Sequence, residues 1–325
     1  MRTGFASACL AAIVLACGAG CAQEDQARGL ITVGLWNPGK TDQDMMAPLG
    51  SSPSEYMRKT GRIDLSARIE MPDKAPMDVW VIKARDAQGR PAAAAAGTIL
   101  VLHALREGKA SFPYSGVADR LAKKGYDVVL PDLRCHGYSG GEFITFGAKE
   151  KDDLKRVMDQ FVGEKAVSDK VYVFGAGLGG CIGIQYAATD PRVQGVVVIA
   201  PYKDFRSYAR QRCPLAGEAD FQKIVETAGK IGSFDPNEAS AVEAASKLTC
   251  PLLVIHGTLD FSVPMEWSQA VAEAAAGPKK LLVVNALELP FVGALYEDWI
   301  VGQVESLIQG GLKEPAPASK PAGNP

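Results

Sequence analysis

Few side chains in this 325-residue sequence could carry out nucleophilic catalysis. A serine or cysteine nucleophile needs a neighbouring base, which is most often histidine. The sequence has three histidines, and none follows His256. Cys135 and His136 are adjacent, so in an extended segment their side chains point apart. Ser115 and Ser139 have no evident base. The residue types alone therefore do not assemble a nucleophile with its base.

The cysteines do not indicate a metal site. Cys9, Cys17 and Cys21 fall in the first 21 residues, and no CxxC or Cys/His spacing occurs among the others. In an oxidising compartment a disulfide between Cys213 and Cys250 is conceivable, although buried free thiols are favoured, with Cys181 acting as a small hydrophobic residue. We expect neither a metal nor a cofactor. The cysteines after residue 21 are Cys135, Cys181, Cys213 and Cys250.

Composition limits the class of protein and its partners. The chain is 47% hydrophobic, which supports a folded core of one large domain or two small ones. Its 35 basic and 37 acidic residues are intermixed and give a net charge of −2. No basic stripe is visible, so nucleic acid is excluded as an expected partner.

Short apolar runs typical of buried strands alternate with segments of helical spacing. We predict strands over 63–69, 77–83, 98–103, 128–131, 171–174, 193–199, 252–255 and 281–284. We predict helices over 112–124, 149–162, 180–188, 266–275 and 296–308. This alternation predicts a mostly parallel sheet flanked by helices on both faces. The segment 202–249 interrupts it and is predicted to be a small helical cap inserted over the carboxyl ends of the strands.

Four segments with recognisable motifs occur in register with this pattern. They are Leu-Val-Leu-His-Ala at 100–104, Asp-Leu-Arg-Cys-His-Gly-Tyr-Ser at 132–139, Gly-Ala-Gly-Leu-Gly-Gly at 175–180 and Leu-Val-Ile-His-Gly-Thr-Leu-Asp at 253–260. From about Arg62 to Ile308 the chain resembles the α/β-hydrolases, most closely exported esterases, dienelactone-hydrolase-like proteins and prolyl-peptidase-like domains. The resemblance implies an α/β-hydrolase fold with a domain over 61–312.

The resemblance also implies where the nucleophile and the oxyanion hole would lie. The nucleophile position, on the turn between a strand and a helix, is Gly177, which has no side chain. Leu178 would supply one backbone N–H of an oxyanion hole, and Ala104 or Leu105 would supply the second. These backbone groups would favour a carboxylate or carbonyl oxygen of a bound ligand.

The remaining catalytic positions are incomplete. Asp260 matches the position of the acid, but the histidine that should follow it is missing. Glu288 is the only ionisable group in the corresponding loop, and together with Asp260 it would border the binding site. His103, His136 and His256 match positions that are usually structural in the family. The resemblance therefore implies a degenerate triad with no intact catalytic residue.

The N-terminal residues predict export. A short basic start at Arg2 is followed by an apolar run over 5–16. Gly18, Ala19 and Gly20 directly before Cys21 resemble the lipobox of bacterial lipoproteins, with Cys17 as a competing lipidation site. We therefore predict a signal peptide over 1–20, a polar tether over 21–60 and a disordered tail over 313–325. The protein would be anchored in the cell envelope on the periplasmic or outer face.

The leading hypothesis is a catalytically degenerate envelope lipoprotein that binds a small ligand or a protein partner. The first alternative is an active esterase or peptidase with relocated catalytic residues. The second is a structural envelope protein with a closed pocket, which bulky cap side chains above Gly177 would indicate.

Overall fold

An eight-stranded sheet forms the centre of the computed structural model, which describes residues 22–33, 37–46, 48, 52–285, 294–310 and 312. The strands are β1 (Leu65–Glu70), β2 (Pro76–Ile82), β3 (Thr98–Leu102), β4 (Asp127–Pro131), β5 (Val171–Ala176), β6 (Val193–Ile199), β7 (Leu252–Gly257) and β8 (Lys279–Val284). Their order across the sheet is β1-β2-β4-β3-β5-β6-β7-β8. Each of the eight predicted strands corresponds to one of these, with ends that differ by a few residues.

The sheet is mostly parallel, as predicted. β2 pairs antiparallel with β1 and with β4, and the other neighbouring strands pair parallel. Parallel neighbours need crossover connections, and helices in those connections cover the sheet. The central strands β3 and β4 are buried along their whole length, which explains their continuous apolar sequences.

Helices pack on both faces of the sheet. On one face α3 (Pro53–Lys59), α4 (Tyr114–Lys123) and α11 (Ala294–Ile308) contribute to one apolar core. The other helices are α1 (Ala22–Ile31), α2 (Pro38–Met45), α5 (Glu150–Gly163), α6 (Gly177–Ala187), α7 (Phe205–Arg212), α8 (Glu218–Gly232), α9 (Ala241–Ala245) and α10 (Met265–Ala274). Of these, α1 and α5 to α10 contribute to a second apolar core on the other face.

The insertion between β6 and β7 contains α7, α8 and α9, in the segment predicted as a cap. Asp204 caps the start of α7 by accepting a hydrogen bond from the Ser207 N–H, and Ser240 caps α9 in the same way through the Glu243 N–H. The Asp204 and Ser240 backbones also form a short antiparallel bridge, which closes the base of the insertion.

The segment predicted as a tether differs from that prediction, because three helices form within 21–60. Ala27 and Ile31 of α1 are fully buried, and the Gln43 side chain of α2 donates a hydrogen bond to buried Asp132 at 2.8 Å. Ala27, Leu30 and Ile31 recur at helical spacing and form one apolar face. The mean polarity of the segment conceals this face, because the polar residues of α1 lie on its other side.

We expect Ile31→Ala to lower the free energy of unfolding by about 2–5 kcal/mol, because Ile31 is fully buried against the cap helix α8. Urea unfolding followed by circular dichroism measures the change. Asp25→Ala on the exposed face of the same helix is the matched control and should have little effect. Equal stabilities for the wild type and Ile31→Ala would mean that α1 is only a tether.

The predicted signal peptide, Cys21 and the predicted tail lie outside the described residues. Among the helices that the structure describes, none is both long and apolar enough to cross a membrane. Cys135, Cys181, Cys213 and Cys250 are all unpaired thiols in the structure.

Candidate active site

The turn between β5 and α6 has the geometry of a nucleophile elbow. Gly177 is the first residue of α6 and has φ of +50°, in the left-handed region that favours glycine. The elbow packs tightly on β3, since a Cβ on Gly179 would lie 2.5 Å from the Leu102 and His103 carbonyl oxygens. A Cβ on Gly177 itself would lie 3.4 Å from the Ala104 Cβ and 3.9 Å from the Tyr202 Cε1. The position thus has room for a small side chain, but its backbone is strained for any residue other than glycine.

Two of the three predicted oxyanion-hole donors have no partner in the described part of the chain. These are the N–H groups of Leu178, in the first turn of α6, and of Leu105. Helical N–H groups in the first turn have no partner within their own helix and can bind an anionic oxygen. The Ala104 N–H is instead occupied, by the Tyr114 hydroxyl at 3.0 Å and by Glu107 at 3.3 Å.

Sequence reasoning missed the pair formed by Glu107 and Tyr114. The Tyr114 hydroxyl donates a hydrogen bond to Glu107 Oε2 at 2.5 Å. Burial raises the pKa of Glu107, and burial together with the nearby Glu107 charge raises the pKa of Tyr114. No sequence spacing predicts the pair, because a loop residue and a residue of α4 meet only through the fold.

Aromatic side chains border the space above the elbow. The Tyr202 ring stacks with Tyr208 at a centroid distance of 5.4 Å, and Tyr208 lies 4.7 Å from Phe146. Trp267 approaches Tyr202 edge-on at 6.0 Å. The Tyr202 N–H donates to the Gly177 carbonyl oxygen at 3.2 Å, which holds the beginning of the insertion against the elbow. Burial raises the pKa of Tyr202, so its hydroxyl stays protonated at neutral pH.

Asp260 lies in the loop after β7, as its motif implies, but it is engaged with its own loop. Its Oδ1 accepts the N–H groups of Ser262 at 2.8 Å and Val263 at 2.9 Å. Glu288 lies outside the described residues, so its predicted approach to Asp260 stays a prediction. Among the described residues, no group of three or more histidine, cysteine and acidic side chains could hold a metal ion.

Two of the three histidines hold the loops beside the site through both ring nitrogens. His103 Nε2 accepts the Leu133 N–H at 2.9 Å, and its Nδ1 lies 2.9 Å from the Ala104 carbonyl oxygen. His136 Nε2 accepts the Arg106 N–H at 3.1 Å, and its Nδ1 lies 2.7 Å from a carbonyl oxygen. Both rings satisfy these contacts as neutral Nδ1–H tautomers. Burial lowers the pKa of both, that of His136 to about 3.

The third histidine is also committed to a structural contact. His256 is buried at the end of β7, and its Nδ1 lies 2.7 Å from the hydroxyl of Ser268, which is fully buried in α10. Burial lowers the pKa of His256. Each of the three histidines in the sequence therefore uses at least one ring nitrogen in a structural contact.

The other candidate nucleophiles are serine hydroxyls that are hydrogen-bonded to the backbone and cysteine thiols that stay protonated. The Ser139 hydroxyl donates to the Asp132 carbonyl oxygen at 2.6 Å and accepts the Asp78 N–H at 2.8 Å. The Ser115 hydroxyl donates to a carbonyl oxygen at 3.2 Å. Burial raises the pKa of Cys135 to about 12 and raises that of Cys181 further, so neither is a thiolate at neutral pH.

A groove of about 620 Å³ opens beside the site, between α7, the start of α8 and the start of α10. It combines arginine side chains with aromatic and proline surfaces. Its lining includes Arg206, Arg210, Gln211, Phe221, Pro264 and Trp267. The sequence pattern does not predict this groove, because its lining comes from segments 206–221 and 264–267, which meet only in the folded chain.

Comparison with sequences of known proteins agrees with this architecture. The family model described as Serine aminopeptidase, S33 matches residues 93–229. An uncharacterized protein of Bacillus subtilis, YqkD, is 26% identical over 172 residues, which make up 50% of this chain and 55% of that protein. The chain therefore spans about half the length of this curated relative.

Solved structures with the same fold include several esterases and hydrolases. The esterase Pf2001 of Pyrococcus furiosus has a TM-score of 0.58 at 22% identity, covering 79% of this chain and 96% of its own. Est1E of Butyrivibrio proteoclasticus, solved with ferulic acid, has a TM-score of 0.57 at 15% identity, covering 76% of this chain and 99% of its own. Mouse alpha/beta hydrolase domain-containing protein 10 has a TM-score of 0.55 at 17% identity, again covering 76% of this chain and 99% of its own. Likenesses at these identities show the fold.

Proposed function

Since this chain belongs to the α/β-hydrolase superfamily, we propose that it is a non-hydrolytic member that binds a small ligand or a protein partner at the cell envelope. One observation carries the proposal. The elbow keeps its left-handed backbone but presents Gly177, while all three imidazoles are committed to structural contacts. A nucleophile and its base act as a unit, so the loss of both removes nearly all of their contribution to catalysis.

The polar groups left at the elbow favour a ligand with a carboxylate or carbonyl oxygen. The Leu178 and Leu105 N–H groups are donors without a protein acceptor among the described residues. The half-buried Tyr202 ring, backed by the buried Tyr208 and Trp267 rings, lies beside them. We therefore propose a small ligand, with an apolar body and one anionic or carbonyl oxygen, as the first class to test.

A closed pocket is the second candidate function, and the position of Tyr202 favours it. Its ring carbon is 3.9 Å from the position of a Cβ on Gly177, so the cap begins in contact with the elbow. Calorimetric titration with benzoate and hexanoate, on the wild type and on Tyr202→Ala, separates the candidates. A binding pocket takes up one of these acids in the wild type. A closed pocket takes up an acid only after Tyr202→Ala, or in neither protein.

We expect the purified protein not to react with a fluorophosphonate probe and not to turn over p-nitrophenyl acetate above the buffer rate. The reason is that Ser139 and Ser115 are hydrogen-bonded to backbone groups, and Ser268, the described serine that contacts an imidazole, is fully buried. Intact-mass spectrometry after probe treatment and absorbance at saturating ester measure the two outcomes. Stoichiometric labelling of Ser139 or Ser115 would instead support the alternative of relocated catalytic residues.

We also propose that the protein is exported and carries a lipid at Cys21, on the evidence of the small residues before it. Mass spectrometry of the chain isolated from a bacterial envelope should show an N-terminal Cys21 with a diacylglyceryl group. A chain that is soluble and unmodified at Cys21, or lipidated at Cys17, would contradict this assignment.

A further inference from the structure

Helix α1 places the beginning of the described chain at one corner of the cap. The Gln23 side chain in its first turn donates to Asp220 in the first turn of α8 at 2.9 Å. At the other end, a Cβ on Gly232 would lie 3.4 Å from Ile31 Cδ1. The two helices therefore run parallel, and Ala22 joins the domain beside the N-terminal end of α8. Any anchor on the neighbouring residue Cys21 would hold this corner near a membrane.

The two most exposed large apolar side chains among the described residues lie near this corner. Leu215 is 87% exposed in the loop that leads into α8, and Phe261 is 91% exposed in the loop after β7. The Gln211 side chain donates to the Ser262 carbonyl oxygen at 3.0 Å, which ties α7 to the loop of Phe261. Leu215 directly follows Pro214, and Phe261 lies three residues before Pro264; Pro214 and Pro264 both line the groove. We call these two side chains and the groove the anchor face.

Acidic side chains outnumber basic ones around the anchor face. Arg206 donates to Gln222 and forms no ion pair within the described residues, whereas Arg210 lies 3.5 Å above the Phe221 ring and pairs with Glu218. Acidic side chains occupy the first turns of α1 and α8. These are Glu24, Asp25, Glu218 and Asp220. Attraction to anionic lipids therefore cannot dominate, and apolar insertion is the remaining contribution.

From these observations we infer that the anchor face is a membrane-contacting surface, on which Leu215 and Phe261 insert into the interfacial region of the bilayer. The inference rests on the proposed membrane location through Cys21. The lipid holds the corner at Ala22, and the two apolar side chains add a second contact that fixes the orientation. In this orientation the groove between α7 and α10 opens towards the lipid, so an amphiphilic ligand can enter it from the membrane.

Vesicle tethering tests this orientation without depending on acylation. A histidine tag replaces residues 1–20 and attaches the chain to phosphatidylcholine vesicles that contain a nickel-chelating lipid. An environment-sensitive fluorophore is placed on Leu215→Cys, Phe261→Cys or Asp169→Cys, with Cys21, Cys135, Cys213 and Cys250 changed to serine. Asp169 is the matched control, because it is exposed at the opposite end of the sheet, before β5.

We expect brominated lipids to quench the label at least twofold at positions 215 and 261, and not at position 169. Replacing a third of the phosphatidylcholine by phosphatidylglycerol should leave this result unchanged. Equal quenching at all three positions, no quenching at 215 and 261, or quenching only with phosphatidylglycerol would overturn the inference. Absence of lipid on Cys21 in envelope material would instead refute the proposed anchor, since the tethered vesicles do not need it.

Untethered binding of the unacylated chain provides a check with the native cysteines in place. We expect the double variant Leu215→Glu and Phe261→Glu to lower sedimentation with phosphatidylcholine vesicles at least fivefold relative to the control Leu65→Glu. Leu65 is also exposed, but it lies on the edge strand β1 at the other side of the sheet. Equal sedimentation of the double variant and the control would overturn the inference.

Discussion

Gly177→Ser alone is expected to leave the protein unable to hydrolyse an activated ester. The new hydroxyl fits the space, since a Cβ at this position meets only ordinary contacts with Ala104 and Tyr202. A serine hydroxyl is a weak nucleophile until a base takes its proton, and the three imidazoles of this protein are engaged elsewhere. Hydrolysis of p-nitrophenyl acetate should stay within about tenfold of the wild-type rate, far from the roughly 10⁶-fold contributed by an intact nucleophile and base.

The same substitution should also lower the free energy of unfolding by about 1–2 kcal/mol, because φ at Gly177 is +50°. Gly61→Ser is the matched control for the backbone. Its φ is +71°, and nothing lies within 4 Å of its Cβ position. If both variants lose equal stability in urea unfolding, the cost comes from the backbone alone. A loss of more than about 3 kcal/mol only at Gly177 would mean that the elbow has no room for a side chain.

Double variants test separately whether the catalytic histidine has been lost. Gly177→Ser is combined in turn with histidine at Leu287, Glu288, Leu289 or Pro290, in the loop that matches the family's histidine position. A histidine that reaches both Asp260 and Ser at 177 supplies the base and should raise turnover about 10²-fold or more above the single variant. If Gly177→Ser by itself reaches the rates of ordinary esterases, an unrecognised base is present and the proposed second loss is wrong.

The largest loss of stability is expected from Asp132→Ala. Asp132 is fully buried and accepts hydrogen bonds from the Lys109 ammonium, Gln43 and the Tyr138 N–H. Its removal leaves Lys109, which is itself fully buried, with Asp78 as its remaining carboxylate at 2.6 Å. Breaking a buried ion pair on one side typically costs about 3–5 kcal/mol of unfolding free energy. Urea unfolding should show a decrease of this size.

Asp119→Ala is the matched control for this ion pair. It removes the exposed pairing with Lys123 on α4 and should change the unfolding free energy by less than about 1 kcal/mol. A similar, small effect of Asp132→Ala and Asp119→Ala would show that the buried network contributes no more than a surface ion pair.

The pH dependence of stability follows from the same buried groups. Burial alone would raise the pKa of Asp132, but the Lys109 charge, the nearby His103 and the hydrogen bonds from Lys109 together outweigh burial and hold the pKa below its usual value. The stability that Asp132 contributes is therefore fully present above the pKa of its carboxyl in the unfolded chain, about 3.9. It is lost as the pH falls through the pKa of the carboxyl in the folded protein. In Asp132→Ala this loss below about pH 4 should disappear.

As the pH falls, the histidines cause a separate loss of stability, which begins at a higher pH than the loss due to Asp132. Burial lowers the pKa of both His103 and His136, so their contribution is complete above the unfolded pKa of about 6.5. It is lost as the pH falls from there towards the folded values, because only the unfolded chain takes up protons in that range. Asp132→Ala should leave a loss of stability between about pH 6.5 and pH 4.

The sequence by itself determined the fold class, the place of the elbow and two residue facts, namely a glycine at 177 and no histidine after His256. Buried parallel strands are mostly apolar, so β3 to β7 could be located from short apolar runs in the sequence. The absence of a side chain at Gly177 and of any histidine after His256 is a property of the covalent chain, which folding cannot change.

Only the tertiary structure decided which side chains meet. The Glu107 to Tyr114 pair, the closure of Tyr202 against Gly177 and the docking of α1 along α8 all depend on how the chain folds. Side chains in such contacts are ordinary in type and become specific through geometry. The segment 21–60 shows the physical reason most clearly, because its few apolar residues are too sparse to indicate a core until the helix places Ala27 and Ile31 on one face.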